Sequence, residues 1–510
     1  MIRSLTARPP ALRRTLALVA ALASFSLVAT DAAAQRAENM ITVAQASDTL
    51  TLDPSVDTSP ISLNLFQNIF DQLTEIGADG SINPKLATEW TSNADSTEWV
   101  FSIRTDAKWH DGTMVSIGDV LWTFQKIMAD DSSPVKAYLS RVASVEQRGD
   151  DQIAFLLNAP FAPFARQMTL VSIMPQAAYE AVGAEAFNLA PVGSGPFKME
   201  SWVKDDRLVL KANSDYWGGA PAIETVVFRP VPSEAARASA LLSGELDVVP
   251  LLPPALVDRI DSADGVNVQK VASNRVLYLG FDTTQTPYDN VKLRQAIDHA
   301  IDRTAITDRL LRGLGVPMGQ IVAPVTFGYD PAIEPTPFDL DIARRLIEES
   351  GYDGAELTFL YPNNRYAFGE EVAQAIGGML QEAGINVKLE GMEYSAYFPR
   401  WLGKELNTIH MFGFGPSIMD AQLPLGSLLA SDSRGYWSDP AVDELIAAQL
   451  AESDPVKRQA IISEIWAIVK EQVPYSMLYN EIQAYGVADD LNWSPRPDER
   501  LLFKDATLNN

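Results

Sequence analysis

The stretch ELTFLYPNNRYAFGEEVAQAIGGMLQEAGINVKLEGMEYSAYFPRWLGKELNTIHMF, residues 356–412, decides the fold class. Glu356–Leu360 reads as a strand, Gly369–Ala383 as a helix and Ile385–Glu390 as a second strand. A helix near Tyr394–Leu402 and a strand at Thr408–Phe412 follow. Strand–helix–strand units of this length imply parallel pairing through a right-handed crossover. The chain is therefore read as α/β.

The alternation continues outward. Ile41–Ala44 is a short strand, and Glu98–Arg104 alternates Trp99, Phe101 and Ile103 against polar residues with a period of two. Ser116 with Asp119 forms a capping-box start for a helix through Met128. Ser233, Asn290 and Asp339 cap further helices, with Gly244 and Gly351 as stops. Two helices, Asp439–Leu450 and Pro455–Gln472, lie near the C-terminus, the second with Ile461, Ile462, Ile465, Trp466 and Val469 at core spacing. Asn274–Phe281 and Tyr475–Tyr485 read as strand passages between two lobes, by which the chain leaves one lobe and later returns.

Residues 1–34 read as a secretory signal peptide. Arg3, Arg8, Arg13 and Arg14 precede a 14-residue apolar run, Thr15 to Val28, and Ala32-Ala33-Ala34 offers a cleavage site before Gln35. The run is short for a bilayer span. Arg13-Arg14 leaves twin-arginine export open beside the general route. The 510-residue chain is 47% hydrophobic and 21% charged, an ordinary globular composition with room for about three folding units or two large lobes. Its net charge is −26. Removing residues 1–34 takes away four Arg and one Asp, leaving 36 basic and 65 acidic residues and a net charge of −29. Nucleic acid and anionic lipid surfaces are excluded as partners on this balance. The acid excess serves solubility or favours cationic ligands. With no Cys, disulfides, thiolate metal sites and a Cys nucleophile are excluded.

Catalytic constellations are missing. His110, His299 and His410 form no metal-binding pair, and Gly193-Ser194-Gly195 has the wrong spacing for a nucleophile elbow. Each His is expected to be a satisfied structural residue. Two aromatic and small-residue segments follow strands instead: Tyr361-Pro362-Asn363-Asn364-Arg365-Tyr366 and Phe412-Gly413-Phe414-Gly415-Pro416-Ser417. Ligands of open α/β sheets sit beyond the carboxyl ends of strands. Arg365 suits a ligand carboxylate, and Asp420 suits a ligand ammonium. A surface salt bridge for Arg365 and a turn or cap role for Asp420 are the competing readings.

At this point the chain resembles the extracytoplasmic solute-binding proteins of peptide-type ABC importers, family 5, which include dipeptide, oligopeptide, glutathione and nickel binders. The resemblance runs through Thr51-Leu52-Asp53-Pro54, Asn83-Pro84-Lys85-Leu86-Ala87-Thr88-Glu89-Trp90 and Lys108-Trp109-His110-Asp111-Gly112-Thr113, followed by Gly118-Asp119-Val120. It continues through Val192-Gly193-Ser194-Gly195-Pro196-Phe197, Asn213-Ser214-Asp215-Tyr216-Trp217-Gly218-Gly219-Ala220-Pro221, Leu241-Leu242-Ser243-Gly244-Glu245-Leu246-Asp247 and Val291-Lys292-Leu293-Arg294-Gln295-Ala296-Ile297. Met114 departs from the proline usual in the family there, and residues 413–420 lack the family's full acidic loop.

The resemblance implies the large periplasmic binding protein fold, with two lobes joined by a two-strand hinge and a discontinuous first lobe. The expected division is 36–277 with 484–510 for lobe I, including the family's extra subdomain, and 278–483 for lobe II. It implies a periplasmic protein, exported by a cleaved signal, that captures a small peptide or peptide-like solute by lobe closure. Delivery would be to ABC permease subunits in the inner membrane. Neither enzyme activity, cofactor nor metal is expected, and the expected state is a monomer. The expected ligand-binding residues are Arg365, Tyr366, Tyr361, Tyr394, Phe414, Asp420 and Ser59. Alternatives are a non-peptide solute in the same family (an opine, a sugar conjugate or a metal chelate) and, from another class, an extracellular hydrolase.

Overall fold

The computed structural model describes residues 39–363, 365–433 and 435–509, so the signal peptide read over 1–34 lies outside the described residues. The quoted stretch folds as the parallel unit its pattern requires. Leu357–Asn363 pairs in parallel with Val387–Glu393, Leu357 opposite Val387 and Asn363 opposite Glu393. Its other edge pairs in parallel with Ile409–Phe414. The helix Gly369–Ala383 turns Val372, Ala373, Ile376 and Leu380 inward, and Gly384 ends it in the left-handed region. That is the usual stop, because only a residue without Cβ adopts this conformation freely.

These strands belong to a sheet of eleven. Its order is Val387–Glu393, Leu357–Asn363, Ile409–Phe414, Val266–Gly280, Tyr475–Ala488, Val248–Val249, Met40–Gln45, Thr225–Pro230, Arg207–Ala212 and Phe197–Val203, with Gly315–Pro317 paired beside Tyr475–Ala488. The molecule is two-lobed: one lobe holds the strands from Val248–Val249 to Phe197–Val203, the other holds the parallel unit. Two long antiparallel strands, Val266–Gly280 and Tyr475–Ala488, run through both. Their ladder is regular from Val266 opposite Ala488 to Ala272 opposite Ile482, breaks, and resumes with Val276 opposite Asn480. The break is where partners change. Gly486 and Val487 pair with the first lobe, whereas Val276 to Gly280 pair with Ile409–Phe414 of the second. Bulges of this kind bend a strand and add local twist.

A four-stranded antiparallel sheet, ordered Ala87–Ser92, Glu98–Ile103, Gln152–Leu157 and Val142–Arg148, extends the first lobe. Trp99, Phe101 and Ile103 are buried, as the period-two pattern demands. Against this sheet packs the helix Ile117–Ala129, started by the Ser116–Asp119 capping box, with Phe124 edge-on to Phe155 at 4.7 Å.

Several of the motif blocks converge on one buried carboxylate. Asp71 accepts hydrogen bonds from Ser194 Oγ, Tyr216 Oη and Trp217 Nε1, each at 3.0 Å. Lys85 Nζ lies 3.6 Å from it. His110 joins the same junction: its N–H donates to the Gly193 carbonyl at 2.8 Å, and the Gly193 N–H donates to His110 Nδ1 at 3.1 Å. A Cβ on Gly193 would stand 1.9 Å from the Ile69 carbonyl oxygen, so the close approach requires glycine. These blocks hold the first lobe together.

Each of the three His has a ring nitrogen within hydrogen-bond distance of a backbone carbonyl. His110 Nε2 lies 3.0 Å from the Gly195 carbonyl, His299 Nδ1 3.0 Å from that of Pro337, and His410 Nδ1 3.2 Å from that of Thr408. His410 is 1% exposed, and burial lowers its pKa to about 4. The unfolded chain binds this proton below about pH 6.5 and the folded chain does not. His410 therefore contributes to acid sensitivity: stability is full above the unfolded value and falls as pH drops from about 6.5 toward 4. Urea unfolding of wild type and His410→Asn across this range should show the wild type losing about 1–3 kcal/mol more than the variant. Parallel pH profiles would overturn the assignment.

Candidate ligand-binding site

The second-lobe wall is built where the parallel strands end. Arg365 follows Leu357–Asn363, and its guanidinium carbon lies 5.2 Å from the ring centroids of both Tyr366 and Tyr394. Among the described residues no carboxylate forms an ion pair or hydrogen bond with it. The surface salt bridge that competes with ligand binding in the sequence is thus not formed. Rings on either side keep the cation at modest energy, about 0.5–1 kcal/mol per contact at a partly exposed site. Tyr366 is buried. Its hydroxyl accepts the Gly413 N–H at 2.7 Å, pinning this loop to the strand Ile409–Phe414, and burial pushes its pKa up to about 12. Tyr394 and Phe414 are half-buried, with Tyr394 against Phe398 at 5.5 Å and Phe414 opposite Val276 on the hinge strand.

The floor is ionic and sits at the break between the long strands. Arg275 Nη2 donates to Glu499 Oε1 at 2.7 Å, and its Nε lies 3.4 Å from Glu481. Gln483 Nε2 also donates to Glu499, at 2.8 Å. Burial works against the Arg275 charge, but Glu499 and Glu481 more than offset it and hold its pKa above the usual arginine value. Burial likewise raises both carboxyls. Two strong donors overcome this at Glu499, whose pKa falls to about 2, and not at Glu481, which stays raised. Arg365 is close enough to lower both carboxyls electrostatically. Asn480 Nδ2 donates to the Ser273 and Arg275 carbonyls, each at 2.7 Å, satisfying backbone freed by the ladder break.

The first-lobe wall meets the second at an apolar contact of Ile76 and Leu170 with Ile418 and Met419, with Tyr138 packed beside it. Arg166 Nη1 donates to the Gly80 carbonyl at 2.8 Å and lies 3.4 Å from that of Met419.

Three expected site residues are placed elsewhere. Asp420 is fully buried, and Arg458 grips both its oxygens at 2.7 and 2.6 Å, with Arg166 Nε at 3.7 Å. Its Oδ1 also caps the Gln422 N–H at 2.9 Å. This carboxylate is saturated by protein donors and does not face a ligand amine. Tyr361 is 7% exposed, packs edge-on to Phe359 and reaches Gly391 on the neighbouring strand, on the face opposite Leu360. Ser59 is the N-cap of Pro60–Ile69, its hydroxyl tied to Asp57 at 2.9 Å. Arg365, Tyr366, Tyr394 and Phe414 remain together.

Arg275, Glu481, Glu499 and Arg458 are not singled out by the sequence reading. Two carry a usable signal. Arg275 interrupts an apolar strand run, and Arg458 occupies the buried stripe of its helix with Ile462, Ile465, Trp466 and Val469. A charge in an apolar stripe implies a buried partner.

Comparison with known proteins identifies the family. The family model for bacterial extracellular solute-binding proteins, family 5 Middle, matches residues 81–436. The chain belongs to this family. The family 5 chain is 27% identical over 463 residues to a probable D,D-dipeptide-binding periplasmic protein, DdpA, of Escherichia coli (strain K12), covering 87% of this chain and 89% of that one. It is 26% identical over 491 residues to the glutathione-binding protein GsiB of Shigella dysenteriae serotype 1 (strain Sd197), covering 92% and 94%. Among solved structures, the periplasmic binding protein DppA from Helicobacter pylori, in complex with peptide STSA, superposes with a TM-score of 0.76 at 25% identity, covering 92% and 98%.

Removing one partner of a buried pair strands the other charge, at a cost of about 3–5 kcal/mol. Asp420→Ala in this family 5 protein should lower unfolding free energy by that order in urea titration. A variant as stable as wild type would return Asp420 to the ligand site.

Proposed function

We propose that this protein is the periplasmic substrate-binding component of an ABC importer and that it captures a small peptide or peptide-like solute. The observation that carries the reading is Arg365: a half-buried guanidinium at the carboxyl end of a parallel strand, beside two rings and in no ion pair with a carboxylate of the described residues. Such a cation accepts a planar carboxylate in bidentate fashion. Tyr394 and Phe414 would supply the apolar walls. The dipeptide-, glutathione- and peptide-binding names of the relatives support the same ligand class.

Lobe closure would turn on the ladder break. In this reading the hinge lies at Ser273–Arg275 and Glu481, with the first lobe before and after these positions and the second between them. The Arg275 ion pairs then hold the floor while the walls rotate, a hinge closure of the ordinary kind. The closed protein would dock as a monomer on permease subunits in the inner membrane. In this reading the protein acts by binding and release, as its family membership supports.

Mass spectrometry of the small molecule released on denaturing natively purified protein should show a stoichiometric peptide or peptide-like acid. A stoichiometric solute of another class would overturn the substrate and keep the transport role. For the solute so identified, Arg365→Ala should weaken calorimetric affinity by about 2–5 kcal/mol, as expected when a buried charge pair loses one partner. A loss under about 0.5 kcal/mol, the size of an exposed pair, would reject Arg365 as the anchor.

A further inference from the structure

The C-terminal tail carries a second guanidinium without a partner. Arg500 is 8% exposed, yet its side chain makes no hydrogen bond or ion pair among the described residues. Only its backbone N–H is engaged, donating to Asp498 Oδ1 at 3.2 Å. The neighbouring carboxylates are committed elsewhere. Asp498 accepts from Arg496 at 2.9 and 2.6 Å, and Glu499 accepts from Arg275 and Gln483. Four guanidinium groups, Arg275, Arg365, Arg496 and Arg500, stand around the floor with Glu481, Asp498 and Glu499, and Glu75 and Asp79 act on Arg496 as well. Among these cations Arg500 has neither an ion pair nor a ring against it among the described residues.

Position makes this cation usable. Arg500 lines a gap of about 20 Å³ with Gln67, Glu75, Lys85 and Leu170 of the first lobe and Ser417 of the second, and Lys85 lies 3.5 Å from the Glu75 carboxylate there. The gap is about the room a single water needs. Ser417 sits in the loop after the strand Ile409–Phe414 that ends beside Arg365. Burial is the largest influence on Arg500 and lowers its pKa, and the charges of Asp498 and Glu499 offset this only in part. A desolvated, unpaired cation is costly and is normally neutralised by an anion.

We propose that Arg500 is a second anion anchor, contributed by the first lobe, and that the solute carries a second acid group in addition to the carboxylate held by Arg365. The inference rests on the peptide-like reading of the site. An acid group on each lobe's guanidinium would bridge the lobes, so a diacidic solute would favour the closed form through both contacts.

The test is calorimetric binding of matched tripeptides to the purified protein: Glu-Ala-Ala with Gln-Ala-Ala, Ala-Glu-Ala with Ala-Gln-Ala, and Ala-Ala-Glu with Ala-Ala-Gln. In at least one pair the acid member should bind about 30-fold tighter or more. Arg500→Gln should reduce that preference to within about twofold, while Arg500→Lys should retain most of it, as a charge effect requires. Arg365→Gln should weaken both members alike, because both carry the terminal carboxylate. Equal binding of acid and amide members by wild type, which needs no variant to fold, overturns the proposal. So does a preference that survives Arg500→Gln. Absence of binding by all six peptides overturns the peptide reading and this inference with it, whereas binding without acid preference overturns the inference alone.

Discussion

The structure depends on the pairing of Val266–Gly280 with Tyr475–Ala488. These strands are the only pair of the large sheet whose ladder continues from one lobe into the other among the described residues. Everything that distinguishes two lobes from one follows from the break near Ala272 and Val276. A regular ladder would fuse the halves into one flat sheet. A complete gap would leave backbone groups unsatisfied, and each buried unpaired group costs about 1–3 kcal/mol. Asn480 resolves the conflict by donating to Ser273 and Arg275 carbonyls while its own strand continues. The bend thus keeps its hydrogen bonds and still changes partners.

That constraint also explains where charge is found. Arg275 lies at the break, where the strand no longer pairs regularly, and its side chain reaches carboxylates on the returning strand and on the tail. The ion pairs tie three segments at one point. Asp420 and Arg458 form a comparable pair, but inside the second lobe, joining the loop after Ile409–Phe414 to the helix Pro455–Gln472. One carboxylate cannot both compensate a buried guanidinium in bidentate fashion and accept a ligand ammonium. The protein uses Asp420 for the first task. Arg365 differs in having rings rather than an acid beside it, which lowers the cost of exposing its charge to a ligand.

How much of this was legible in the sequence depended on whether a signal was local. The parallel unit at 356–412 and the caps at Ser116, Ser233, Asn290 and Asp339 are set by period and neighbouring residues, and they appear as read. The passages at Asn274–Phe281 and Tyr475–Tyr485 are real strands, extended to Val266–Gly280 and Tyr475–Ala488. Side-chain destinations were harder. Asp420 looked like a loop acid because its partner lies 38 residues away on a helix. Tyr361 looked like a wall because it is near Arg365 in sequence, but strand alternation sends it with Phe359 to the opposite face. Ser59 is followed directly by Pro60, the first residue of its helix, and a Ser immediately before such a start is more readily a cap than a ligand contact. Arg500 had no local signal, since the tail around it has neither helical nor strand period.

The acidic surface and the cationic floor then have different ranges. At physiological ionic strength, exposed charges are screened beyond about 8 Å. The field of the surface carboxylates therefore does not reach far into the cleft. Inside it, the rings of Tyr366, Tyr394 and Phe414 and the apolar contact of Leu170 with Ile418 surround the guanidinium groups, which act through a lower effective dielectric. On the proposed reading, selectivity for an acid solute would be a property of the few groups desolvated at the floor, and the sign of the whole chain's charge would not predict it.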